Sequence, residues 1–573
     1  MIGLPLGTGL AAVRMQPYAN TRDVRWPLLA DAFPEGIAFA LLGLALWWLL
    51  ARGPARRPFL GWLVTALAFL PAAIVLVLPL NRICLPDKFE PLSLVANGCA
   101  ALAFAVLTYL GAKFLARWRE APAGIPISLV VLGAVPVTAH LLGDVRTENS
   151  APDVLVLLVD VLGAQRLGCY GYERPSSPNI DAFAEDAVLF ENAISASTFT
   201  KTSVATLFTG LNPHHHLVYR GDLRDTHDRI TSDVLGDEKQ TLAELVSEQG
   251  LTPVAWVQNG QIHDYMGFAQ GFAYYGDQMG SITKIRPLFK SWANSMAERT
   301  QYFAYLHFID LHAPYVPPNH LRGRYGPDTP ASRERVFDSW RVFRNEVNFR
   351  GRELSEADLE ALSARHDETL LFVDEWVGGI LDDLRASGRY DDTMIVLLGD
   401  HGDAFMQHGF IAHAMPPFDE LVHVPLIVKL PGNAQAGRRE SRMVGLVDLA
   451  PTLLDYLGAP VPDSMDGRSF LDLLLDPQAD MKPRTYFSEI ERTIAMRTQR
   501  WKYLRFPRKA GRLYDLAADP GETTEVSALH PEVAERFELA VQHAIDERKR
   551  GGHAETVVLD EETVDALKAL GYL

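Results

Sequence analysis

The chain carries a threonine, aspartates and histidines whose types and positions could support nucleophilic or metal-dependent chemistry. Thr200 lies in the segment SASTFTKTSVATLFTG, residues 195–210, in which Ser or Thr alternates with apolar residues. This pattern predicts a loop that leads into a short, half-buried helix, with the threonine hydroxyl at the helix N-terminus, where anions bind. A threonine in that position is either a helix cap or a nucleophile, and the segment alone favours the cap.

Two apolar runs of strand length each lead into an aspartate. Asp160 follows Val154–Val159, and Asp400 opens the sequence Asp-His-Gly-Asp after Met394–Leu398. A single aspartate after a strand commonly closes a turn or caps a helix. Two such positions, one beside His401, predict a shared site instead, because ligands of α/β sheets gather at the carboxyl ends of the strands. Carboxylates, a hydroxyl and an imidazole at these strand ends would hold one divalent cation.

Further histidines lie close to these positions in the sequence. His307 and His312 belong to YFAYLHFIDLHAPYVPP, and His408 and His413 belong to QHGFIAHAMPP. Single histidines in such segments are most often structural. Their Gly and Pro neighbours nevertheless indicate loops over a site, where catalytic residues are commonly placed.

The elements that must position these residues alternate between strand and helix. The apolar runs indicate central strands covered on both faces, and Thr241–Gln249 and Leu354–Ser387 have helical periodicity. This alternation predicts an α/β sandwich. Beyond about residue 441, VGLVDLAPTLLDYLGAP indicates a helix, YFSEIERTIAMRTQRWKYLRFP and GRLYDL indicate strands, and Pro531–Arg550 indicates a surface helix.

The first 145 residues have the composition of a membrane domain. One uncharged stretch, 58–80, is long enough to cross the roughly 30 Å hydrocarbon layer as a helix, although buried soluble helices are the alternative. Basic residues after the first and third apolar stretches place those loops in the cytoplasm. Arginines before the first stretch conflict with four spans, so a three-span arrangement stays open. The predicted spans are residues 36–51, 58–80, 92–112 and 125–143.

This topology places everything after about residue 145 in the periplasm or outside the cell, as part of an integral protein of the bacterial inner membrane. Through Asp144 there are 11 Lys and Arg against 7 Asp and Glu, a net of +4, so the total charge of −17 leaves −21 for the remainder. So acidic a domain is a poor partner for nucleic acid. Three scattered cysteines support neither a disulfide framework nor a zinc cluster.

Five motifs occur in order over roughly residues 152–530. They are VDVLGAQRLGCYGYERPSSPNIDAFAEDAVLFENA, TFTKTSVATLFTG, HFIDLHAPYVPP, LLGDHGDAFMQHGF with VPLIVKLPG, and WKYLRFP with GRLYDLAADPGET. Together they resemble the sulfatase family of the alkaline phosphatase superfamily. The resemblance implies an alkaline-phosphatase-like α/β/α sandwich at 152–440 and a small α+β subdomain and tail at 441–573. They follow the membrane domain that the apolar stretches predict at 1–145.

The resemblance also implies roles for individual residues. Thr200 would be the nucleophile and, with Asp160, Asp400 and His401, would bind one divalent metal ion, with Ca, Mn and Zn all open. His312 and His413 would contact the charged oxygens of the substrate or protonate its leaving group. The remaining candidates for substrate binding are Lys201, Asn259 and His408.

The sequence departs from the sulfatase pattern at the nucleophile. The family places Cys or Ser in Cys/Ser-x-Pro-x-Arg and converts it to formylglycine, whereas residues 200–204 read TKTSV, so we expect no formylglycine. One of the paired aspartates is replaced by Val161, and residues 257–260 read VQNG where the family has Gly-Lys-Trp-His. A threonine nucleophile resembles the membrane-anchored lipoteichoic-acid synthases and phosphoethanolamine transferases of the same superfamily.

The sequence therefore predicts a membrane-anchored, extracytoplasmic, metal-dependent enzyme that hydrolyses or transfers a sulfate or phosphate ester through a covalent threonine intermediate. Its substrate would be an ester of a lipid head group or an envelope glycan. One alternative is a lipid-dependent transferase of the phosphoglycerol or phosphoethanolamine type. An alternative of another class is a non-catalytic protein of envelope assembly.

Overall fold

A computed structural model describes residues 153–219, 223–224, 229–277, 280–296, 301–326 and 340–569. The four predicted spans lie outside these residues. Within the described ranges, no helix is both long and apolar enough to span a bilayer.

The described strands, in chain order, are β1 (Asp153–Val159), β2 (Val188–Ile194), β3 (Leu223–Arg224), β4 (Ile230–Asp233), β5 (Thr252–Val257), β6 (Tyr274–Asp277), β7 (Tyr302–Phe308), β8 (Thr393–Gly399), β9 (Ala404–Phe405), β10 (Ile411–Ala412), β11 (His423–Lys429), β12 (Arg438–Glu440), β13 (Val444–Gly445), β14 (Tyr486–Ile490), β15 (Thr493–Arg497), β16 (Trp501–Arg505), β17 (Arg512–Asp515) and β18 (Thr556–Val558).

The described α-helices are α1 (Pro178–Glu185), α2 (Thr200–Thr209), α3 (Pro213–His216), α4 (Leu242–Glu248), α5 (Ile282–Ser295), α6 (Trp340–Arg350), α7 (Glu356–Ala386), α8 (Asp419–Val422), α9 (Leu449–Tyr456), α10 (Leu471–Leu475), α11 (Pro531–Gly551) and α12 (Glu561–Ala569).

The main sheet is mixed and has the strand order β12-β2-β11-β8-β1-β7-β5-β6, with β13 also paired to β2. Strand β1 lies at its centre and runs parallel to both neighbours, β7 and β8. Strand β11 is antiparallel to β8 and to β2. Because the central strands are parallel, their carboxyl ends meet at one edge of the sheet, and the polar residues that follow them are brought together there.

Helices cover both faces of this sheet. Val154, Val156 and Leu158 of β1 belong to one buried cluster with residues of α2, α4 and α9. The alternate residues of β1 belong to a second cluster with residues of α1, α5 and α7. Successive side chains of a strand point to opposite faces, so an unbroken apolar run such as β1 fits a strand buried on both sides. The mixed α/β fold predicted from the sequence is confirmed.

Helix α2, which begins at Thr200, differs from the sequence prediction in two ways. All ten of its residues are buried, so the prediction of a half-buried helix was wrong. Phe199 occupies the cap position, and Thr200 is the first helical residue. The helix lies between the sheet, α3 and α9, which explains why its Ser and Thr residues are enclosed. Its first turn still presents backbone N–H groups that have no partner within the helix.

The residues beyond 441 contribute to more than one part of the fold. Strands β14, β15, β16 and β17 form an antiparallel sheet, as their alternating sequence predicts, and α11 packs against β15 and β16. Strand β13 pairs with β2 of the main sheet, and β18 pairs with β4. Residues 151–573 form one compact unit.

The N-terminus of α7 provides a test of this local structure. Ser355 caps the helix by accepting from the Asp358 N–H, and the Asp358 carboxylate accepts from the Ser355 N–H in return. We expect Ser355→Ala to lower the free energy of unfolding by about 1 kcal/mol, because the capped N–H groups lose their acceptor. Urea denaturation of the variant and the parent measures this difference, and equal midpoints would contradict the capping role.

Candidate active site

The register of the central strands places two aspartates side by side. Val159 of β1 pairs with Gly399 of β8, so Asp160 and Asp400 are the next residues of two adjacent parallel strands. Val161, after the first aspartate, has φ 54°, which a β-branched residue rarely adopts. This conformation allows the Val161 N–H to donate to Asp400 Oδ1 at 3.1 Å. The His401 N–H donates to the same oxygen at 2.9 Å.

The loop before α2 is tied to the end of β8. The Ser203 hydroxyl donates to the backbone carbonyl of Asp400 at 2.8 Å, and the Ser195 hydroxyl donates to the same carbonyl. These bonds fix the first turn of α2 beside the two aspartates. Thr200 Oγ1 consequently lies 3.2 Å from His401 Nε2 and 3.4 Å from Asp160 Oδ1. The threonine hydroxyl is therefore next to the carboxylates and the imidazole with which the sequence analysis grouped it.

The four side chains form a buried group of oxygen and nitrogen ligands. His401 Nε2 lies 3.4 Å from Asp400 Oδ2 and 3.9 Å from Asp160 Oδ1. His401 Nδ1 lies 3.1 Å from the Gly402 carbonyl, and this bond assigns the ring proton to Nδ1. The lone pair of Nε2 then points to the carboxylates, so acceptor atoms face one another in the interior.

A divalent cation fits this arrangement. Asp400 Oδ2 is buried and accepts no hydrogen bond, although its partner oxygen accepts two. Atoms bound to one metal at about 2.0–2.2 Å lie about 3–4 Å apart, which is the range found among Thr200, Asp160, Asp400 and His401. One imidazole with carboxylate and hydroxyl oxygens suits Mn²⁺ or Zn²⁺, whereas Ca²⁺ prefers oxygen ligands alone.

The charges of the group support the same conclusion. Burial alone raises the pKa of Asp160, but the hydrogen bond with His307 and the neighbouring imidazoles outweigh it and hold that pKa below its ordinary value. Burial and the charge of Asp160 raise the pKa of Asp400 to about 6. Burial lowers the pKa of His401, yet the two carboxylates more than compensate and raise it. The shifts of Asp400 and His401 report the negative charge of the neighbouring carboxylates, which a bound cation would neutralise.

Asp160 is held from its other side by Asn259 and His307. Its Oδ2 accepts from Asn259 Nδ2 at 2.6 Å and lies 3.1 Å from His307 Nε2. His307 Nδ1 lies 2.9 Å from the Tyr305 hydroxyl, which belongs to the same strand, β7. These contacts occupy one carboxylate oxygen and leave Oδ1 for Thr200 and a metal ion. Such supports around a ligand orient it and tune its basicity.

A second pair of imidazoles lies beside the first group. His312 Nε2 and His413 Nε2 are 3.2 Å apart, and the rings of His413 and His401 have centroids 4.7 Å apart. His413 Nδ1 lies 2.7 Å from Asp403 Oδ1, and the other oxygen of Asp403 accepts from the Tyr315 hydroxyl at 2.5 Å. His312 Nδ1 lies 2.6 Å from the Ala313 carbonyl. Both Nδ1 atoms therefore act as donors.

This pairing leaves the two Nε2 atoms facing each other, so a hydrogen bond between them needs one additional proton. Burial and the charge of His413 lower the pKa of His312 to about 4, so the additional proton belongs on His413, next to the Asp403 carboxylate. His312 and His413 keep exposed fractions of 4% and 3%, whereas Thr200, Asp160, Asp400 and His401 have none. The side of the site that a substrate can reach is therefore the side that holds this proton.

The fold and this geometry were compared with known proteins. A model of the sulfatase family matches residues 152–459, which is more than half of the chain. The chain belongs to the sulfatase family. A second model, of the C-terminal part of N-sulphoglucosamine sulphohydrolase, matches residues 407–547 of this sulfatase-family chain.

The chain is also similar to individual members of the sulfatase family and to solved structures. The chain is 24% identical over 422 residues to a Δ4,5-hexuronate-2-O-sulfatase of Bacteroides thetaiotaomicron. The aligned region covers 67% of this chain and 86% of that protein. The chain is 30% identical over 207 residues to bovine arylsulfatase K, covering 34% of the chain and 38% of that protein. The phosphonate monoester hydrolase of Agrobacterium radiobacter has the same fold, with a TM-score of 0.54 and 23% sequence identity. The superposed region covers 71% of this chain and 97% of that hydrolase.

The other residues proposed for substrate binding in this sulfatase-family chain have different surroundings. Lys201 is fully buried, and its ammonium donates to the Ser232 hydroxyl on β4. His408 stacks on Phe418, and its Nδ1 lies 2.7 Å from Glu420. Asn259 reaches the site, but it contacts the ligand Asp160. Asn259 therefore contacts a member of the candidate ligand group and supports Asp160.

Three residues of the site received no role in the sequence analysis. His307 was named as one of four histidines near the site, Asp403 was the last residue of the Asp-His-Gly-Asp sequence, and Tyr315 was not considered. The signal for Asp403 is its place two residues after His401 in a motif at a strand end. The roles of His307 and Tyr315 depend on contacts with Asp160 and Asp403, which are far away in the sequence.

The contact between Asn259 and Asp160 gives a prediction that concerns metal affinity. We expect Asn259→Ala to weaken divalent-metal binding by about 10- to 100-fold, because Asp160 loses the donor that orients it. Isothermal titration with Mn²⁺ measures the change. Gln261→Ala, a substitution two residues along the same turn, is the control and is expected to bind Mn²⁺ as the parent does. Equal affinities in Asn259→Ala and the parent would show that Asn259 does not position the ligand.

Proposed function

We propose that this sulfatase-family chain is a metal-dependent ester hydrolase in which the Thr200 hydroxyl attacks the sulfur or phosphorus of a sulfate or phosphate ester. The observation that carries the proposal is the position of this hydroxyl. It lies at the first residue of α2, 3.2 Å from His401 Nε2 and 3.4 Å from Asp160 Oδ1. Hydrolysis of such esters is the activity expected of the family.

The residues around Thr200 favour attack by its oxygen. His401 Nε2 and Asp160 Oδ1 both lie on one side of the Thr200 oxygen, so its other side is left for the attack. The backbone N–H groups at the start of α2 favour an anion at the same place. Asp160, Asp400, His401 and Thr200 would hold the cation, which would supply charge stabilisation and a lower pKa for the hydroxyl.

The His312–His413 pair would serve the leaving group. The Thr200 hydroxyl gives its proton to water as its oxygen bonds to sulfur or phosphorus. As the bond between the central atom and the leaving oxygen breaks, the additional proton passes from the pair to that oxygen, and the alcohol departs. Water then attacks the ester on Thr200, and one of its protons returns to the pair. Inorganic sulfate or phosphate is released, and the Thr200 oxygen takes up a proton from water to restore the hydroxyl. Asp403 keeps the required tautomer of His413 through the bond to Nδ1.

Threonine at this position has a consequence for the chemistry. A threonine side chain forms an ordinary ester with the transferred group, whereas the formylglycine of sulfatases proper is an aldehyde hydrate. The group on Thr200 must therefore leave by a second attack on sulfur or phosphorus. This requirement supports the second candidate, transfer of a phosphoryl-type group to an acceptor alcohol in place of water.

The relatives and the sequence extend the proposal to the class of substrate and to the location of the protein. Relatives of the chain include an N-acetylglucosamine-6-O-sulfatase of Bacteroides thetaiotaomicron. A sulfated or phosphorylated sugar ester, from an envelope glycan or a lipid head group, is therefore the first substrate class to test. The apolar stretches of the first 145 residues support a membrane-anchored protein with its catalytic part outside the cytoplasm.

An ester panel tests the proposed activity. The full chain in detergent is assayed with nitrophenyl sulfate, nitrophenyl phosphate and a phenylphosphonate monoester, before and after chelation and with Mn²⁺ or Zn²⁺ restored. We expect at least one ester to be cleaved in a metal-dependent manner and Asp400→Asn to be inactive. Asp455→Asn, which alters an exposed carboxylate on α9, is the matched control and should retain the parent rate. Equal turnover in Asp400→Asn and the parent would overturn the proposal.

A further inference from the structure

A cluster of histidines around one carboxylate lies outside the active site, where α3 meets α11. Glu547 Oε2 lies 3.9 Å from His214 Nε2, 3.5 Å from His215 Nε2 and 3.2 Å from His543 Nδ1. His214 and His215 are on α3, and His543 and Glu547 are one turn apart on α11. Three ring nitrogens from two helices thus converge on a single oxygen.

The remaining nitrogens of His214 and His215 are already bonded to carboxylates. His214 Nδ1 lies 2.5 Å from Glu489 Oε1, and His215 Nδ1 lies 2.8 Å from Asp466 Oδ2. The second oxygen of Glu489 accepts from the Tyr219 hydroxyl at 2.7 Å. These bonds assign the ring protons to Nδ1, so the Nε2 lone pairs of both rings point to Glu547. Histidine ligands of metals are typically held in this way by a carboxylate on the far nitrogen.

The distances fit the ligands of a metal ion. The separations of 3.5 and 3.9 Å from Glu547 to His215 and His214 are too long for hydrogen bonds from protonated rings. Ligands bound tetrahedrally to Zn²⁺ at about 2.0–2.1 Å lie about 3.3 Å apart. The ligand atoms of His214, His215 and Glu547 all lie within 4.8 Å of one another. His543 is exposed and lies 3.2 Å from the carboxylate but outside this group of three, so it would join them through a rotation of its side chain.

The surroundings of the cluster allow an ion to enter and to be retained. His214 is buried, His215 and Glu547 are partly exposed, and His543 is exposed. The nearest cation to the other oxygen of the carboxylate is Arg550, at 3.9 Å from Glu547 Oε1. That arginine contacts the oxygen that faces away from the imidazoles, so Oε2 is left for a metal ion. Three neutral imidazoles and one carboxylate suit Zn²⁺ better than Ca²⁺ or Mg²⁺.

We propose that His214, His215, His543 and Glu547 form a second, structural Zn²⁺ site that ties the C-terminal helix α11 to α3. With His543 turned toward the other three, four protein ligands would make a closed site, as in structural zinc centres. Helix α3 directly follows α2, and Thr206 of α2 lies 3.0 Å from His216 of α3. The ion would therefore fasten α11 to the segment that continues from the nucleophile helix. The zinc ion would stabilise the fold and would take no part in the reaction at Thr200.

Zinc content tests this site separately from the active site. The full chain is purified in detergent as Asp400→Asn, in which the catalytic ligand set is broken, then stripped with chelator and titrated with Zn²⁺. We expect one tightly bound Zn²⁺ per chain and a rise in melting temperature of at least about 2 °C. Adding His215→Ala or, separately, Glu547→Gln should remove both the bound ion and the thermal shift. Adding Asp466→Asn should weaken binding by about 10- to 100-fold.

His320→Ala is the matched control, because His320 and Glu375 form an exposed pair without the further histidines. It should keep the zinc and the thermal shift. Replacing Zn²⁺ by Co²⁺ should give the intense visible absorption of tetrahedral Co²⁺ in the Asp400→Asn protein. Unchanged zinc content and thermal shift in both His215→Ala and Glu547→Gln would overturn the proposal, as would a Co²⁺ spectrum that neither substitution alters. The Glu547→Gln protein keeps all the helix contacts, so the test holds even where His215→Ala does not fold.

Discussion

Thr200→Ala is expected to lower kcat for the best ester of the panel by about 10⁴-fold or more, while the metal stays bound. The substitution removes the atom that forms the covalent bond, and loss of a nucleophile has effects of this size because the remaining groups act through it. Asp160, Asp400 and His401 still provide three ligands, so metal content should change little. Steady-state kinetics together with metal analysis of the same preparation measures both quantities.

Thr200→Ser separates chemistry from folding in this experiment. A serine keeps the hydroxyl and loses the methyl group, so a rate within about 100-fold of the parent is expected if the oxygen is what matters. Because α2 is fully buried, the melting temperature of each variant needs to be compared with that of the parent. A folded, metal-bound Thr200→Ala protein that hydrolyses the ester at the parent rate would exclude Thr200 as the nucleophile.

His413→Asn is expected to have the second largest effect, and one that depends on the leaving group. Removing the protonated member of the pair should lower kcat by about 10²- to 10⁴-fold for an alkyl or sugar ester, because the departing alkoxide then lacks its proton donor. Nitrophenolate departs without protonation, so release of nitrophenol in the first turnover should be much less affected. Pre-steady-state measurements with both esters determine the two losses.

The control for this prediction is a histidine that lies outside the site. His320→Ala changes an exposed ring paired with Glu375 and should leave both kinetic phases unchanged. Asp403→Asn should reproduce part of the loss, since the amide cannot stabilise the charge on His413. If His413→Asn slowed the alkyl and nitrophenyl esters equally, its role would be structural and not that of a proton donor.

The central strands and the ligand group were predictable because both depend on local sequence. Apolar runs such as 154–159 are buried on both faces of a sheet, and parallel neighbours bring the residues that follow them, Asp160 and Asp400, to one edge. The place of Thr200 at the start of α2 followed from the same order of elements. The degree of burial of α2 could not be predicted in this way, because helices and loops that enclose it come from distant parts of the chain.

The contacts that could not be predicted join residues far apart in the sequence. His312 and His413 meet across 101 positions, and their pairing depends on how two loops pack above the sheet. Lys201 follows the nucleophile directly, yet its helical position directs it to Ser232. The three consecutive histidines at 214–216 gave no signal as ligands, because Glu547 lies at the other end of the catalytic part of the chain.

Detection of the covalent intermediate tests the central claim most directly. The His413→Asn protein is mixed with a nitrophenyl ester labelled on sulfur or phosphorus, quenched in acid and digested. In this variant the first step stays fast and the second step, which needs the histidine pair to accept a proton from water, is slow. We predict that label accumulates on the peptide that contains Thr200, at a level that matches the burst of nitrophenol. A burst without label on Thr200, or label on another residue, would contradict the account.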